Sequence, residues 1–263
     1  MEGSVEALSL FQYWHSGKMP DDVAALTETF AAHNPELRHR IFDEAAAADL
    51  IATHFGPRER DCFAACAMPV MQADYFRYCA LLACGGVYAD VDYCCKRSLA
   101  PLIEDESVAV LRAEPQANFA GRDIVPIQNS FLLFKRPRHP LLELTLEMAT
   151  SRIEQTRTRV DLGRIAPILI TGPAILTVLH LAYRLGSLEA LAGFFAGTDL
   201  ENLSRRALDA IDDHRQVVDA FDGVRLVGVE EFELYGEGEI KLPYKSTGTH
   251  WSNFASPVYR ATA

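Results

Sequence analysis

The amino-acid sequence predicts an α/β protein in which a mostly parallel sheet is covered by helices. Short apolar strands alternate with helices through the first third of the chain, and the second half is rich in helical segments. The 263 residues, 49% of them hydrophobic, are also enough to bury a full core. Because no repeat or linker divides the sequence, we expect residues 1–263 to form a single domain.

The first third of the sequence has a β-α-β-α pattern. The predicted elements are, in order, a strand over residues 8–14, a helix over 20–32, a strand over 38–42 and a helix over 44–54. Asp43 has the side chain of a good N-cap for the last of these, and Gly56-Pro57 is its predicted stop. Repetition of this kind is typical of a parallel sheet with helices on its faces.

The strongest predicted helix covers residues 69–84 and ends at Gly85-Gly86. An extended segment over residues 87–93 follows directly. Further strands are predicted over residues 108–111, 130–134 and 224–229, and further helices over 139–155, 172–183 and 187–195. The additional helices therefore fall mainly in the C-terminal half.

The charge balance is acidic, with 25 Lys and Arg against 36 Asp and Glu and a formal net charge of −11. This balance, without a block of basic residues, argues against nucleic acid as a partner. An acidic protein that binds an anionic diphosphate needs local positive charge, which a divalent cation supplies.

The first 17 residues lack the pattern of a secretory signal, and no apolar stretch is long enough to span a bilayer, so a cytoplasmic protein is expected. Exposed helices in the second half leave peripheral membrane contact open, although they carry no strong basic amphipathic stripe. The six cysteines lie within residues 62–95 without two separated C-x-x-C pairs, which predicts buried free thiols rather than a zinc site.

Two carboxylates close the extended segment after Gly85-Gly86. Asp90 and Asp92 are two residues apart, so in a strand both side chains point the same way while Val91 points into the core. Converging carboxylates repel each other unless a cation lies between them. A solvated strand end explains most such pairs, but this one follows an apolar strand and a glycine turn, where a cleft is expected.

The residues around this pair resemble the DXD sugar-binding region of glycosyltransferase family 32. The resemblance lies in Asp74, Arg77 and Tyr78 on the helix, then Gly85-Gly86, then Asp90-Val91-Asp92. The family includes fungal mannosyltransferases and animal α-1,4-glycosyltransferases, and clostridial toxin glucosyltransferases are more distantly similar. Segments elsewhere agree in order and spacing: Tyr13-Trp14-His15-Ser16-Gly17, Asn34-Pro35-Glu36-Leu37, Gln128-Asn129-Ser130-Phe131, Thr171-Gly172-Pro173 and His250-Trp251.

The resemblance implies a GT-A fold, which is a Rossmann-like α/β sandwich, and Mn²⁺ or Mg²⁺ held between the DXD motif and the diphosphate of a nucleotide-sugar. Asp92 is then the direct metal ligand, and Asp90 faces the ribose or sugar and reaches the metal through water. Asp74 and Arg77 grip the donor sugar near the phosphates. Without the resemblance, Asp74 and Arg77 would be an ordinary surface ion pair.

Further roles follow from the same resemblance. Trp14 stacks on the nucleotide base, and Gly86 and Tyr88 belong to the donor pocket. Asn129 lies near the transferred sugar, although it is equally well interpreted as a turn residue. The predicted catalytic residues are Asp90, Asp92, Arg77 and Asn129.

The rest of the metal shell is left open by the C-terminal sequence. His250 occupies the position of a late metal ligand in the family. The family pattern there is closer to H-x-x-S-W, so Ser252 and Asn253 are alternatives to His250.

The predicted function is a metal-dependent retaining glycosyltransferase. It moves a hexose from a nucleotide-sugar, with a UDP-sugar favoured over GDP-mannose, to a glycan or a lipid-linked oligosaccharide. Two other classes remain: a metal-dependent phosphohydrolase or nucleotidyl enzyme, and a non-catalytic sugar-binding relative.

Overall fold

A computed structural model describes residues 7–15, 18–119, 121–157, 166–198, 211–238, 240, 242, 245 and 258–260. The strands are β1 (Ser9–Tyr13), β2 (Arg38–Phe42), β3 (Gly86–Ala89), β4 (Cys94–Cys95), β5 (Ala109–Ala113), β6 (Ala117–Phe119), β7 (Arg122–Ile124), β8 (Ile127–Phe134), β9 (Val224–Val227) and β10 (Gly236–Glu237). The helices are α1 (Asp21–His33), α2 (Glu44–His54), α3 (Pro57–Ala65), α4 (Pro69–Cys84), α5 (Ala100–Glu104), α6 (Pro140–Thr156), α7 (Ala166–Ile170), α8 (Ala174–Leu185), α9 (Leu188–Phe195), α10 (His214–Phe221) and α11 (Val229–Phe232).

Six strands form a central mixed sheet in the order β2-β1-β3-β8-β5-β9. β1 pairs in parallel with β2 and β3, and β5 pairs in parallel with β9. β8 is antiparallel to both of its neighbours, so five strands share one direction and β8 runs against them. The α/β class with a mostly parallel sheet and extra C-terminal helices is confirmed, and it is consistent with the implied GT-A fold.

Alternate residues of each central strand enter two different cores. In β3, Val87 packs with Leu10 and Leu133 on one face, beneath α1, α5 and α11. Tyr88 points to the other face, where α2, α3, α4, α6 and α8 cover the sheet. The period-2 alternation of a strand buried on both sides thus produces a three-layer sandwich.

The junction of α4 and β3 brings two backbones unusually close. Gly85 caps the helix with φ 66°, and Gly86 follows with φ 114°, both outside the range of ordinary L residues. A Cβ on Gly86 would lie 2.3 Å from the carbonyl oxygen of Ser9 in β1. The glycine pair therefore lets β3 enter the sheet beside β1 directly from the end of α4.

Several predicted elements change in the structure. The segment after Gly86 ends as a strand at Ala89, and Val91 with Asp92 forms a turn in which the Tyr93 N–H donates to the Asp90 carbonyl at 3.2 Å. The strand or strand end predicted over residues 87–93 is therefore confirmed only as far as Ala89. The hydrogen bond of this turn ends the strand, because structural context outweighs the strand propensity of a short apolar run.

Other differences lie at boundaries between elements. Gly56-Pro57 ends α2 but also begins α3, because proline is favoured in the first turn of a helix. The strand predicted over residues 224–229 stops at Val227, and α11 begins at Val229. The hairpin of β6 and β7 was not predicted.

The cysteines are free thiols, and four of them are buried: Cys62, Cys66, Cys79 and Cys95. Cys84 is exposed and Cys94 is half-buried, so the expectation of buried thiols holds for the four only. Among the helices that the structure describes, no single one is long and apolar enough to cross a membrane. Only α8 and α9, bent by 119°, meet that test when taken together.

Gly86→Ala tests the close approach of β3 to β1. The added methyl group meets backbone that cannot rotate away, so we expect the free energy of unfolding to fall by more than about 3 kcal/mol. Gly121→Ala is the control, because Gly121 also has positive φ (79°) but open space around it, and should lose about 1 kcal/mol. Urea unfolding of both variants measures the difference, and equal losses would contradict the steric explanation.

Candidate functional site

An open pocket of about 400 Å³ lies where β3 ends, within the size range of ligand sites. It is built by α4, the turn after β3, the start of β8 and the segment around α7. The described residues that line it are Val70, Asp74, Arg77, Asp90, Asp92, Gln128, Asn129, Ser130, Pro167, Ile168, Pro173 and Lys245. The predicted residues Asp74, Arg77, Asp90, Asp92 and Asn129 are thus brought together in one cavity.

Arg77 lies at the centre of this site and is only 2% exposed. Its Nη2 is 3.0 Å from Oδ1 of Asp74 and 3.0 Å from Oδ1 of Asp90. Its Nη1 donates to the carbonyl oxygen of Asn129, and its Nε donates to the carbonyl oxygen of Ala73 at 3.3 Å. The guanidinium is therefore committed to holding protein groups in place, and the alternative of a surface ion pair between Asp74 and Arg77 was wrong.

Asp74 is fixed from several sides. The amide of Asn129 donates to its Oδ1 at 2.9 Å, and the hydroxyl of Thr171 donates to its Oδ2 at 3.1 Å. The same Asn129 amide nitrogen lies 2.9 Å from the hydroxyl of Tyr78, which in turn donates to the Thr171 carbonyl at 2.9 Å. This network joins α4, β8 and the segment before α8. A buried carboxylate needs partners of this kind.

Asp90 connects the buried network to the open part of the pocket, with 29% of its side chain exposed. The hydroxyl of Tyr88 donates to its Oδ1 at 3.0 Å, and the Arg77 guanidinium lies 4.4 Å above the Tyr88 ring. The side-chain amide of Gln12, in β1, donates to the Asp90 carbonyl at 3.3 Å. The carboxylate of Asp90 is therefore held by Tyr88 of β3 and by Arg77 of α4, while its backbone carbonyl is held by Gln12 of β1.

Asp92 forms an ion pair with Lys245, whose Nζ lies 2.6 Å from Oδ2 of Asp92. Both side chains are largely buried, at 16% and 19% exposure. The pair joins Lys245 to the turn after β3. A cation that binds this oxygen of Asp92 takes the place of the lysine ammonium.

Negative charge is in excess in the pocket. Its described lining holds the carboxylates of Asp74, Asp90 and Asp92 against the cations of Arg77 and Lys245, which leaves one negative charge. Burial raises the pKa of Asp90 to about 7. The positive charge of Arg77 lowers this pKa, and the negative charges of Asp92 and Asp74 raise it. Burial also raises the pKa of Asp74. A cation in the pocket would relieve this excess.

The residues fit a hard divalent cation that arrives with a diphosphate. Carboxylate oxygens are suitable ligands for Mn²⁺ or Mg²⁺, and Mg²⁺ commonly uses one or two carboxylates together with substrate phosphates. Asp90 and Asp92 supply that number. Within the described ranges, no group of three or more His, Cys, Asp or Glu side chains is placed to hold a metal ion.

Several residues that the sequence predicts for the site are not among the described residues that line the pocket. Trp14 lies half-buried at the end of β1, with its ring 5.5 Å from that of His15, and is outside the described lining of the pocket. Gly86 is at the opposite end of β3 from Asp90, where the approach to Ser9 requires a glycine, and it is outside the described lining of the pocket. His250, Ser252 and Asn253 lie outside the described residues.

Sequence reasoning gave no role to several residues of the site: Gln12, Tyr78, Thr171 and Lys245. Tyr78 and Thr171 belong to segments that carry the family resemblance, which is a signal that was present in the sequence. Gln12 is a polar residue inside a predicted buried strand, which is also informative. Lys245 has no comparable signal, because its pairing with Asp92 bridges distant parts of the chain.

Comparison with protein families confirms the resemblance. Residues 20–109 match the family described as "Glycosyltransferase sugar-binding region containing DXD motif". The matched region contains α4, the glycine turn and both carboxylates of the motif. Residues 20–109, about a third of the chain, are therefore similar to the sugar-binding region of the DXD glycosyltransferases, and this match supports the predicted class of glycosyltransferase.

Two curated yeast proteins are similar to parts of the chain. The "Initiation-specific alpha-1,6-mannosyltransferase" of Schizosaccharomyces pombe is 33% identical over 85 residues, which are 30% of this chain and 22% of that protein. The "Putative glycosyltransferase HOC1" of Saccharomyces cerevisiae is 24% identical over 161 residues, which are 57% of this chain and 40% of that protein. The chain thus matches less than half the length of either relative.

Among solved structures, the "PaToxG Glycosyltransferase" is similar with a TM-score of 0.45 and 14% sequence identity. The alignment covers 82% of this chain and 86% of that one.

The raised pKa of Asp90 predicts how stability depends on pH in protein kept free of metal. Between the ordinary value of 3.8 and about 7, the folded state holds a proton that the unfolded state releases, so the free energy of unfolding falls as pH rises through this window. Asp90→Asn removes this effect. From pH 4 to pH 8, we expect the free energy of unfolding to fall by roughly 1 to 3 kcal/mol more in the wild type than in the variant.

Urea unfolding in the presence of a chelator at several pH values measures this difference. Asp219→Asn, on the exposed surface of α10, is the matched control and should follow the wild-type profile. Parallel profiles for wild type and Asp90→Asn would show that Asp90 titrates normally.

Proposed function

We propose that this protein is a metal-dependent glycosyltransferase that moves a hexose from a nucleotide-sugar to a hydroxyl group of an acceptor. The observation that carries the proposal is the buried Arg77, whose guanidinium lies 3.0 Å from Asp74 and 3.0 Å from Asp90 beside the DXD turn. This arrangement gives a pocket with fixed carboxylates for a metal and for sugar hydroxyls, within a region that matches a sugar-binding family.

The donor is a UDP-hexose or a mannosyl nucleotide such as GDP-mannose. The sequence favours the UDP-sugar, and the name of the S. pombe relative, a mannosyltransferase, supports a mannosyl donor. The acceptor class is a glycan or a lipid-linked oligosaccharide, and the site of action is the cytoplasm.

The chain's own groups divide the work of binding. Asp74 and Asn129 form the polar wall that faces the hexose. Asp74 accepts hydrogen bonds from sugar hydroxyl groups, and Asn129 holds the Asp74 carboxylate in position. Asp90 and Asp92 would hold the divalent cation, which would supply positive charge against the departing diphosphate. Arg77 is a positioning residue: it fixes Asp74 and Asp90 and adds a buried positive charge close to the leaving group.

The reaction proceeds with retention of configuration by attack on the same face from which the diphosphate leaves. The carboxylates in the described lining are Asp74, Asp90 and Asp92, and each is committed to hydrogen bonds, an ion pair or the metal. None of these three has the role of a covalent nucleophile. The acceptor oxygen bonds to the anomeric carbon, the bond from that carbon to the phosphate oxygen breaks, and the acceptor proton passes to that oxygen.

Nuclear magnetic resonance of the product tests the stereochemistry. An α-linked donor should give an α-linked product without a covalent sugar adduct on any Asp or Glu. An inverted product, or a trapped adduct found by mass spectrometry, would overturn this mechanism.

Donor binding is measured by thermal shift with UDP-, GDP- and CMP-sugars, with and without Mn²⁺, followed by assay of donor hydrolysis. Stabilisation should require both the metal and one nucleotide class, because the carboxylates bind the diphosphate through the cation. Asp92→Asn should weaken the joint binding at least tenfold, since it removes one of two charged metal ligands. Asp219→Asn, the surface control, should bind as the wild type does.

The outcome separates the alternatives. Binding of Mn²⁺ and nucleotide by Asp92→Asn at wild-type strength would refute the role of the DXD turn. Release of phosphate without sugar transfer would point to the phosphohydrolase alternative, and binding without any turnover would point to a non-catalytic relative.

A further inference from the structure

A second cavity of about 220 Å³ adjoins the donor pocket. It lies between the β6–β7 hairpin, α8 and α9. The two cavities share three wall residues: Gln128, Ile168 and Pro173. A molecule in the second cavity therefore lies directly beside whatever occupies the first.

The chemistry of the second cavity differs from that of the first. Its wall is almost wholly apolar, with Phe119 and Phe195 packed at 6.0 Å between ring centres, and no described lining residue is charged. The hydroxyl of Thr177 donates to the Pro173 carbonyl at 3.0 Å and accepts from the Ile127 N–H at 3.0 Å. Thr177 is the single hydroxyl-bearing residue among the described residues of the wall, and its hydroxyl is already bonded within the protein.

These walls do not suit a sugar. Each sugar hydroxyl that leaves water needs a hydrogen-bond partner, and an unpaired one costs about 1 to 3 kcal/mol. Gln128, at the boundary with the donor pocket, is the other polar side chain of the wall. A hydrocarbon chain needs no such partners and gains free energy from leaving water.

Ile168 supports this interpretation from the rim. It lies on the shared wall and is 41% exposed, although it is a large apolar residue. A chain that enters the second cavity past the donor pocket covers this side chain. The exposed isoleucine therefore marks the path between the two cavities.

We propose that the second cavity binds the apolar chain of an amphiphilic acceptor, with its hydroxyl-bearing head group directed into the donor pocket. The proposal rests on the glycosyl transfer proposed above and narrows its acceptor class to molecules with an alkyl or polyisoprenyl chain. The apolar cavity fixes the acceptor, while the polar pocket beside it fixes the donor.

The test measures binding of methyl, butyl, hexyl and octyl β-glucosides below their micelle concentrations by isothermal titration calorimetry. The dissociation constant should fall roughly fourfold for each methylene until the cavity is full. Ala174→Phe fills the cavity from α8 and should abolish this dependence on chain length. Val178→Phe is a second variant that fills the cavity from one turn further along α8. Ala46→Phe is the matched control, because Ala46 is exposed on α2.

Binding of nucleotide with Mn²⁺ is measured on the same proteins and should be unchanged in all three variants, since none of the three positions lines the donor pocket. A chain-length dependence in the wild type and in Ala46→Phe, lost in the two filled variants, supports the proposal. No dependence in the wild type, or a dependence that persists in both filled variants, overturns it. If the dependence appears but no nucleotide binds, the cavity is an apolar site, and its acceptor role fails together with the proposed function.

Discussion

A single buried guanidinium organises the site. Arg77 is 2% exposed and sits between the carboxylates of Asp74 and Asp90, with the Tyr88 ring beneath it. Two carboxylates at this separation repel each other, and a buried cation without partners would be strongly destabilising. Each group is tolerated because the others are present. The geometry of the pocket therefore depends on α4 and β3 being held in one fixed relation.

That relation is produced by the glycine turn. Gly85 and Gly86 take positive φ and allow β3 to begin immediately after α4, in contact with the backbone of β1. The short connection places Asp74 and Arg77 beside the other end of β3. A longer connection would let the helix shift along the sheet, and the distances within the carboxylate–guanidinium group would no longer be fixed. The glycine pair thus determines where the site residues lie through the course of the backbone.

The two adjoining cavities differ in the chemistry of their walls. The donor pocket is lined by fixed charges and leaves one negative charge in excess, which favours a divalent cation with its diphosphate. The adjoining cavity has walls that offer almost no hydrogen bonds. The two environments meet at their shared wall of Gln128, Ile168 and Pro173, where the proposed donor and the proposed apolar acceptor chain would lie side by side.

The sequence alone determined the order of the principal elements and the central unit of the site. Local signals were sufficient there, because amphipathic period, N-caps and glycine stops act over a few residues, and the DXD unit is continuous from Asp74 to Asp92. Only the tertiary structure decided the roles. It showed that Arg77 holds protein groups, that a turn and not a strand presents Asp92, and that Gly86 serves the backbone. It also brought in Lys245 and Thr171, which lie far along the chain from their partners Asp92 and Asp74. Contacts of this kind depend on how the layers pack, and no local pattern encodes them.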